Sequence, residues 1–170
     1  MATKTLKKAK KLTKAQMRVI VAKDALLQLQ LEKYQPQCGL YVDDCLLHEI
    51  NQVVVNDYKK INDSAQPHLE NLNNCKVCAK GAIFLSSVRK FNDVTIGNFY
   101  GGAIDKAHSI FGERNLDNIE AAFEQWRDKD SFNNDKNTKL NKFINKYPNT
   151  DKRLEAILKN IIKNKGIFKP

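Results

Sequence analysis

The chain has 170 residues, with 29 Lys+Arg against 19 Asp+Glu and a formal net charge of +10. That length is one ordinary domain, able to bury a core without metal or disulfide staples. No apolar run approaches the ~18 residues of a membrane span, and the amino end lacks the apolar segment of a secretory signal. A cytoplasmic protein with reduced thiols is therefore expected. The charge is unevenly placed: residues 1–14 hold six Lys and no acid, and residues 139–170 hold nine Lys or Arg against Asp151 and Glu155. The intervening stretch is slightly acidic. This is a quiet body with two basic ends, a distribution that favours an anionic partner.

Residues 1–12 read as a basic flexible tail, since Leu6 and Leu12 are too few to anchor it. Residues 13–170 read as a single helical domain. Thr13 is placed to cap a first helix whose apolar stripe is Met17, Ile20, Val21, Leu27 and Leu31, ending near Tyr34 because Pro36 disfavours helical geometry at Gln35. Gly39 to Val42 is short and extended, either one small strand or a packed crossing segment. A second helix is expected after Asp43 or Asp44, with Leu46, Leu47, Ile50, Val53, Val54, Tyr58 and Ile61 inward.

The central element is predicted over residues 75–90, capped by Asn73 or Asn74, with Val77, Gly81, Phe84 and Val88 on one face. Gly81 inside it implies close approach of another backbone. Gly101-Gly102 lacks the spacing and the preceding strand of a phosphate-binding loop. A short helix from Ala103 to Phe111 closes at Gly112. Another opens at Asn115 or Asp117, with Leu116, Ile119, Ala122, Phe123 and Trp126 inward and Glu113, Asp117, Glu120 and Glu124 outward. Residues 127–138 do not complete a calcium loop. Leu140, Phe143, Ile144 and Tyr147 form a short helix ending at Pro148. The last helix is capped by Thr150, packs Leu154, Ile157, Leu158, Ile161 and Ile162, and stops at Gly166, with Phe168 folding back. The fold class is all-α with at most one short strand, a single-domain bundle of five to seven helices around helix 75–90.

Four cysteines, Cys38, Cys45, Cys75 and Cys78, are the zinc candidates. Cys75 and Cys78 have the spacing of half a knuckle, but Cys38 and Cys45 do not complete it, and buried reduced thiols are the expected state. No cofactor is expected. His48, His68 and His108 form no metal pair, and Ser86 and Ser87 lie within a helix, not on a nucleophile elbow, so no enzyme signature is present.

Binding remains. The cationic candidates are Lys4, Lys7, Lys8, Lys10, Lys11 and Lys14 at the amino end, and Lys142, Lys146, Lys152, Arg153, Lys159, Lys163, Lys165 and Lys169 at the carboxyl end. Lys152, Lys159 and Lys163 recur at helical spacing away from the apolar stripe. Only five Arg occur in the chain. Arg is the preferred bidentate reader of guanine, so sequence-specific readout is not expected.

The Cys75-Lys76-Val77-Cys78-Ala79-Lys80-Gly81-Ala82 run, the Asn118 to Glu124 segment and the closing Asn160-Ile161-Ile162-Lys163-Asn164-Lys165-Gly166-Ile167-Phe168 resemble motifs of small proteins of phages and their bacterial hosts. The resemblance covers a minority of the chain and implies no catalytic residue. It implies a phage-type context in which small proteins bind and disable host machinery, including nucleoprotein defence complexes. Joined to the basic ends, the expectation is a non-enzymatic protein that engages nucleic acid or a host nucleoprotein complex, extending to inhibition of an RNA-guided defence. The alternatives are a zinc-stabilised regulatory module and a protein-only inhibitor that binds an acidic host protein.

Overall fold

Helix α1, Lys14–Gln30, begins where Thr13 accepts a hydrogen bond from the Gln16 amide while the Gln16 side chain accepts from the Thr13 amide. This reciprocal capping box satisfies two orphan donors at once. The computed structural model describes residues 11–40, 42–43, 74–91, 104–125 and 138–170. Among them the helices continue with α2 (Ala79–Phe91), α3 (Ile104–Phe111), α4 (Glu113–Glu124), α5 (Lys139–Lys146) and α6 (Thr150–Lys163). The fold is mostly helical, as periodicity predicts. The helix expected between Asp43 and Ile61, the Gly101-Gly102 turn, Trp126 and the stretch 127–137 lie outside the described residues.

Helix α1 stops earlier than Pro36 alone would require. Lys33 donates to the Gln28 carbonyl and Glu32 to the Leu29 carbonyl, with Glu32 at φ 57°. These are the two bonds of a Schellman cap, and they free the next residues to extend. Tyr34–Pro36 forms β1, Val42–Asp43 β2 and Cys75–Val77 β3, in the order β1-β3-β2. Strand β3 runs parallel to β1 (Tyr34 opposite Cys75) and antiparallel to β2 (Val42 opposite Val77). Pro36 lies on an edge strand, where its missing N–H is tolerated.

The predicted helix 75–90 is thus divided. Asn74 at φ 57° turns the chain away from helical geometry, and Cys75 donates to the Lys33 carbonyl at 2.9 Å. The first three residues join the sheet, and the helix proper starts at Ala79. Its central role is as expected: from Gly81 to Val88 every residue is buried. A helix enclosed on all sides must satisfy its own polar groups. Ser87 bonds the Ile83 carbonyl at 2.7 Å, and Ser86 meets the Tyr34 hydroxyl at 3.3 Å. At its carboxyl end Arg89 and Lys90 each lie 3.1 Å from the fully buried carboxylate of Asp24 on α1.

Gly112, at φ 79°, separates α3 from α4, which starts at Glu113 before the expected Asn115 or Asp117. Asn149, not Thr150, caps α6 by accepting from the Lys152 amide at 3.0 Å. Helix α6 ends in a second Schellman cap: Gly166 donates to the Ile161 carbonyl and Lys165, at φ 54°, to that of Ile162. The left-handed position belongs to Lys165, one residue before the expected glycine. Phe168 folds back and is buried.

Helix α1 packs on both α2 and α6, and α4 packs on α2, α6 and α5. Where α6 ends it meets the start of α1. A Cβ on Gly166, already at φ +93°, would stand 2.8 Å from the Ala15 carbonyl oxygen and 2.9 Å from Arg18 Cβ. Replacement Gly166→Ala is expected to lower stability by about 1–3 kcal/mol through strain and overlap with backbone. A urea titration reads this as a lower midpoint at unchanged slope. An unshifted midpoint would place the two ends apart.

Candidate functional site

Helices α5 and α6 are joined by only Tyr147, Pro148 and Asn149, yet α5 packs on α4 instead of lying along α6. The result is an open groove of about 810 Å³ between them. Lys139, Lys142 and Lys146 line it from α5, at the i, i+3, i+7 spacing that keeps one helix face. Lys152, Lys159 and Lys163 line it from α6, with Glu155 among them. Its floor is apolar: Phe143, Tyr147 and Ala156. Asn160 and Pro170 complete the wall.

The lysine side chains are exposed, and among the described residues only Lys159 has a carboxylate partner, Glu155 at 2.6 Å. An exposed i, i+4 pair of this kind contributes only tenths of a kcal/mol. The other five groove lysines form no ion pair among the described residues. Three of the four acidic side chains predicted on α4 are used elsewhere. Asp117 and Glu120 both hold Lys80 of α2, and Glu124 accepts from the Gly39 amide at 2.8 Å. Burial acts to lower the Lys80 pKa, but the two carboxylates outweigh it and hold the ammonium above its ordinary value. Unlike Glu155, these carboxylates are engaged away from the groove lining.

Of the predicted cationic positions, the structure gathers Lys142, Lys146, Lys152, Lys159 and Lys163. Lys165 and Lys169 are exposed just past α6, outside the groove. Lys11 and Lys14 are exposed at the start of α1, which the Ala15–Gly166 contact brings to the end of α6. Lys4, Lys7, Lys8 and Lys10 lie outside the described residues. Lys139 was missed; its spacing with Lys142 and Lys146 is the signal that finds it.

Arg153 departs from the sequence expectation. It was expected among the anion-binding cations, but it is fully buried. Its guanidinium donates to the carbonyls of Tyr147 (2.8 Å), Phe123 (2.6 Å) and Pro148. With the Gln125 amide oxygen turned inward, that oxygen also lies 2.7 Å from Nη2. These acceptors belong to the carboxyl ends of α4 and α5, where the helix dipoles favour a cation. Arg153 follows the apolar stripe of α6, four residues before Ile157 and eight before Ile161, whereas Lys152 faces out. Arg153 therefore builds the groove and does not line it.

The cysteines do not form the proposed zinc set. Cys75 is disulfide-bonded, against the expectation of reduced thiols, and Cys38 and Cys78 are free. Cys45 lies outside the described residues. Burial pushes the Cys78 thiol up to about 11, and burial together with Glu124 raises that of Cys38. Both are poor thiolates near neutral pH. No group of three His, Cys, Asp or Glu side chains able to hold a metal occurs among the described residues. No described helix is long and apolar enough to cross a membrane.

Compared with protein-family models, curated proteins and solved structures, the chain finds no match.

Two measurements check this arrangement. Arg153→Met, which removes a buried cation's bonds to the Phe123, Tyr147 and Pro148 carbonyls, is expected to cost about 3 kcal/mol, whereas Lys159→Gln on the rim changes stability by less than about 0.5 kcal/mol. Chemical denaturation of the two variants side by side separates an internal from a surface cation. At pH 8, iodoacetamide is expected to label exposed Cys38 slowly and Cys78 only after denaturation, as read by peptide mass mapping.

Proposed function

We propose that the chain is a non-enzymatic binding protein that grips the phosphates of nucleic acid, free or within a nucleoprotein, through the lysine-lined groove between α5 and α6. One observation carries this reading. Five lysines converge on one concave surface with no carboxylate partner among the described residues, while Asp117, Glu120 and Glu124 of α4 are occupied elsewhere. Lysines that merely solubilise a helix would not need to face a shared cleft. The exposed Lys11 and Lys14 extend positive potential from the neighbouring end of α1.

Lysine contributes mainly through counterion release, which is indifferent to base sequence. Preference for a phosphate-rich ligand, and not for a particular sequence, follows. Inhibition of a host nucleoprotein such as an RNA-guided defence complex is the phage-type extension of this proposal and rests on the motif resemblance alone.

A binding titration across salt is the test. Log affinity is expected to fall linearly with log salt, with a slope between about −3 and −5 for the five unpaired lysines. Each of Lys142→Gln and Lys146→Gln is expected to reduce that slope by roughly 1. Absence of binding at low salt, or binding that ignores salt, excludes phosphate contact. Capture of a host protein that survives nuclease treatment and ignores the groove variants points instead to a protein-only inhibitor.

A further inference from the structure

We infer that the α5–α6 groove takes single-stranded nucleic acid, with bases seated on the Tyr147 and Phe143 rings and phosphates on the surrounding lysines. This rests on the phosphate-binding reading above and narrows it.

The floor of the groove is the reason. Phosphate binding needs only cations, and a rim of lysines would serve a duplex lying across it. This groove is concave and has aromatic rings at its base. A duplex offers a convex surface of phosphates and hides the faces of its bases in the stack, so the floor would meet nothing. A single strand can turn bases out, and aromatic rings flanked by cations are the general means of holding them without sequence readout. The volume, about 810 Å³, suits a few flexible units.

The rings are also held in place. Phe143 packs on Tyr147 with centroids 4.9 Å apart and edge-on to buried Phe168 at 5.3 Å. The Tyr147 backbone is fixed by Arg153. Lys146 Nζ stands over the Tyr147 ring, 5.5 Å from its centroid. A cation in that place occupies the face a base would use. On binding, the base replaces the ammonium on the ring, and the ammonium moves to the adjoining phosphate.

The experiment uses fluorescence anisotropy of the full chain with four probes: a labelled thymidine dodecamer, an abasic strand of equal length, a hairpin duplex of equal phosphate number, and inorganic polyphosphate as competitor. The dodecamer is expected to bind at least about tenfold more tightly than the abasic strand or the duplex. Tyr147→Leu is expected to remove most of that advantage at unchanged salt slope, whereas Lys142→Gln lowers the slope and keeps the advantage. The wild-type comparison stands even if the tyrosine variant folds poorly. Equal affinity for abasic and thymidine strands, or preference for the duplex, overturns the single-strand inference while leaving phosphate binding intact. No salt-dependent binding to any probe overturns the phosphate reading itself.

Discussion

The guanidinium of Arg153 is the interaction on which the carboxyl-terminal half of the molecule depends. A buried cation is costly unless its donors are all used. Here they are used by neutral carbonyls from two helix ends and the linker between α5 and α6, with the Gln125 amide beside them. The Phe123 and Tyr147 carbonyls are among those that a helix end leaves without an intrahelical partner. One side chain therefore closes the end of α4, closes the end of α5 and orients the turn into α6. Helix α5 is held against α4, and the space left beside α6 is the groove.

The distribution of acids matters as much as that of lysines. Asp24 meets Arg89 and Lys90 inside the α1–α2 contact, and Asp117 and Glu120 tie α4 to Lys80 of α2. These carboxylates are engaged in holding helices together. Among the described residues Glu155 is the one acid within the groove, and its contact with Lys159 is exposed and screened by salt. Net charge becomes local potential because, Glu155 apart, the charged residues that line the groove are lysines.

Much of the helical framework was legible in the sequence, for reasons visible in single residues. Thr13 marks the true start of α1, whereas its expected stripe holds only in part: Val21 is buried, but Leu27 and Leu31 are exposed. Leu154, Ile157, Leu158 and Ile161 are all buried as their spacing requires, and Phe168 returns to the core. The β3 strand was not legible, because Cys75 and Val77 fit the face of the following helix equally well; the left-handed turn at Asn74 and the partners offered by β1 and β2 decide it. Nor was the role of Arg153 read correctly. As one of nine basic residues near the carboxyl end it looked like surface, although its phase with Ile157 and Ile161 places it inside. The groove depends on α5 packing against α4, a long-range choice that helical periodicity does not encode.

The three-residue elbow between α5 and α6 has a consequence for how a ligand would be met. Two of its carbonyls, those of Tyr147 and Pro148, are already bonded by the same side chain. A cleft whose walls are set before contact has little conformational entropy left to lose on complex formation. Encounter rates then follow diffusion and long-range steering instead of waiting for a hinge to close.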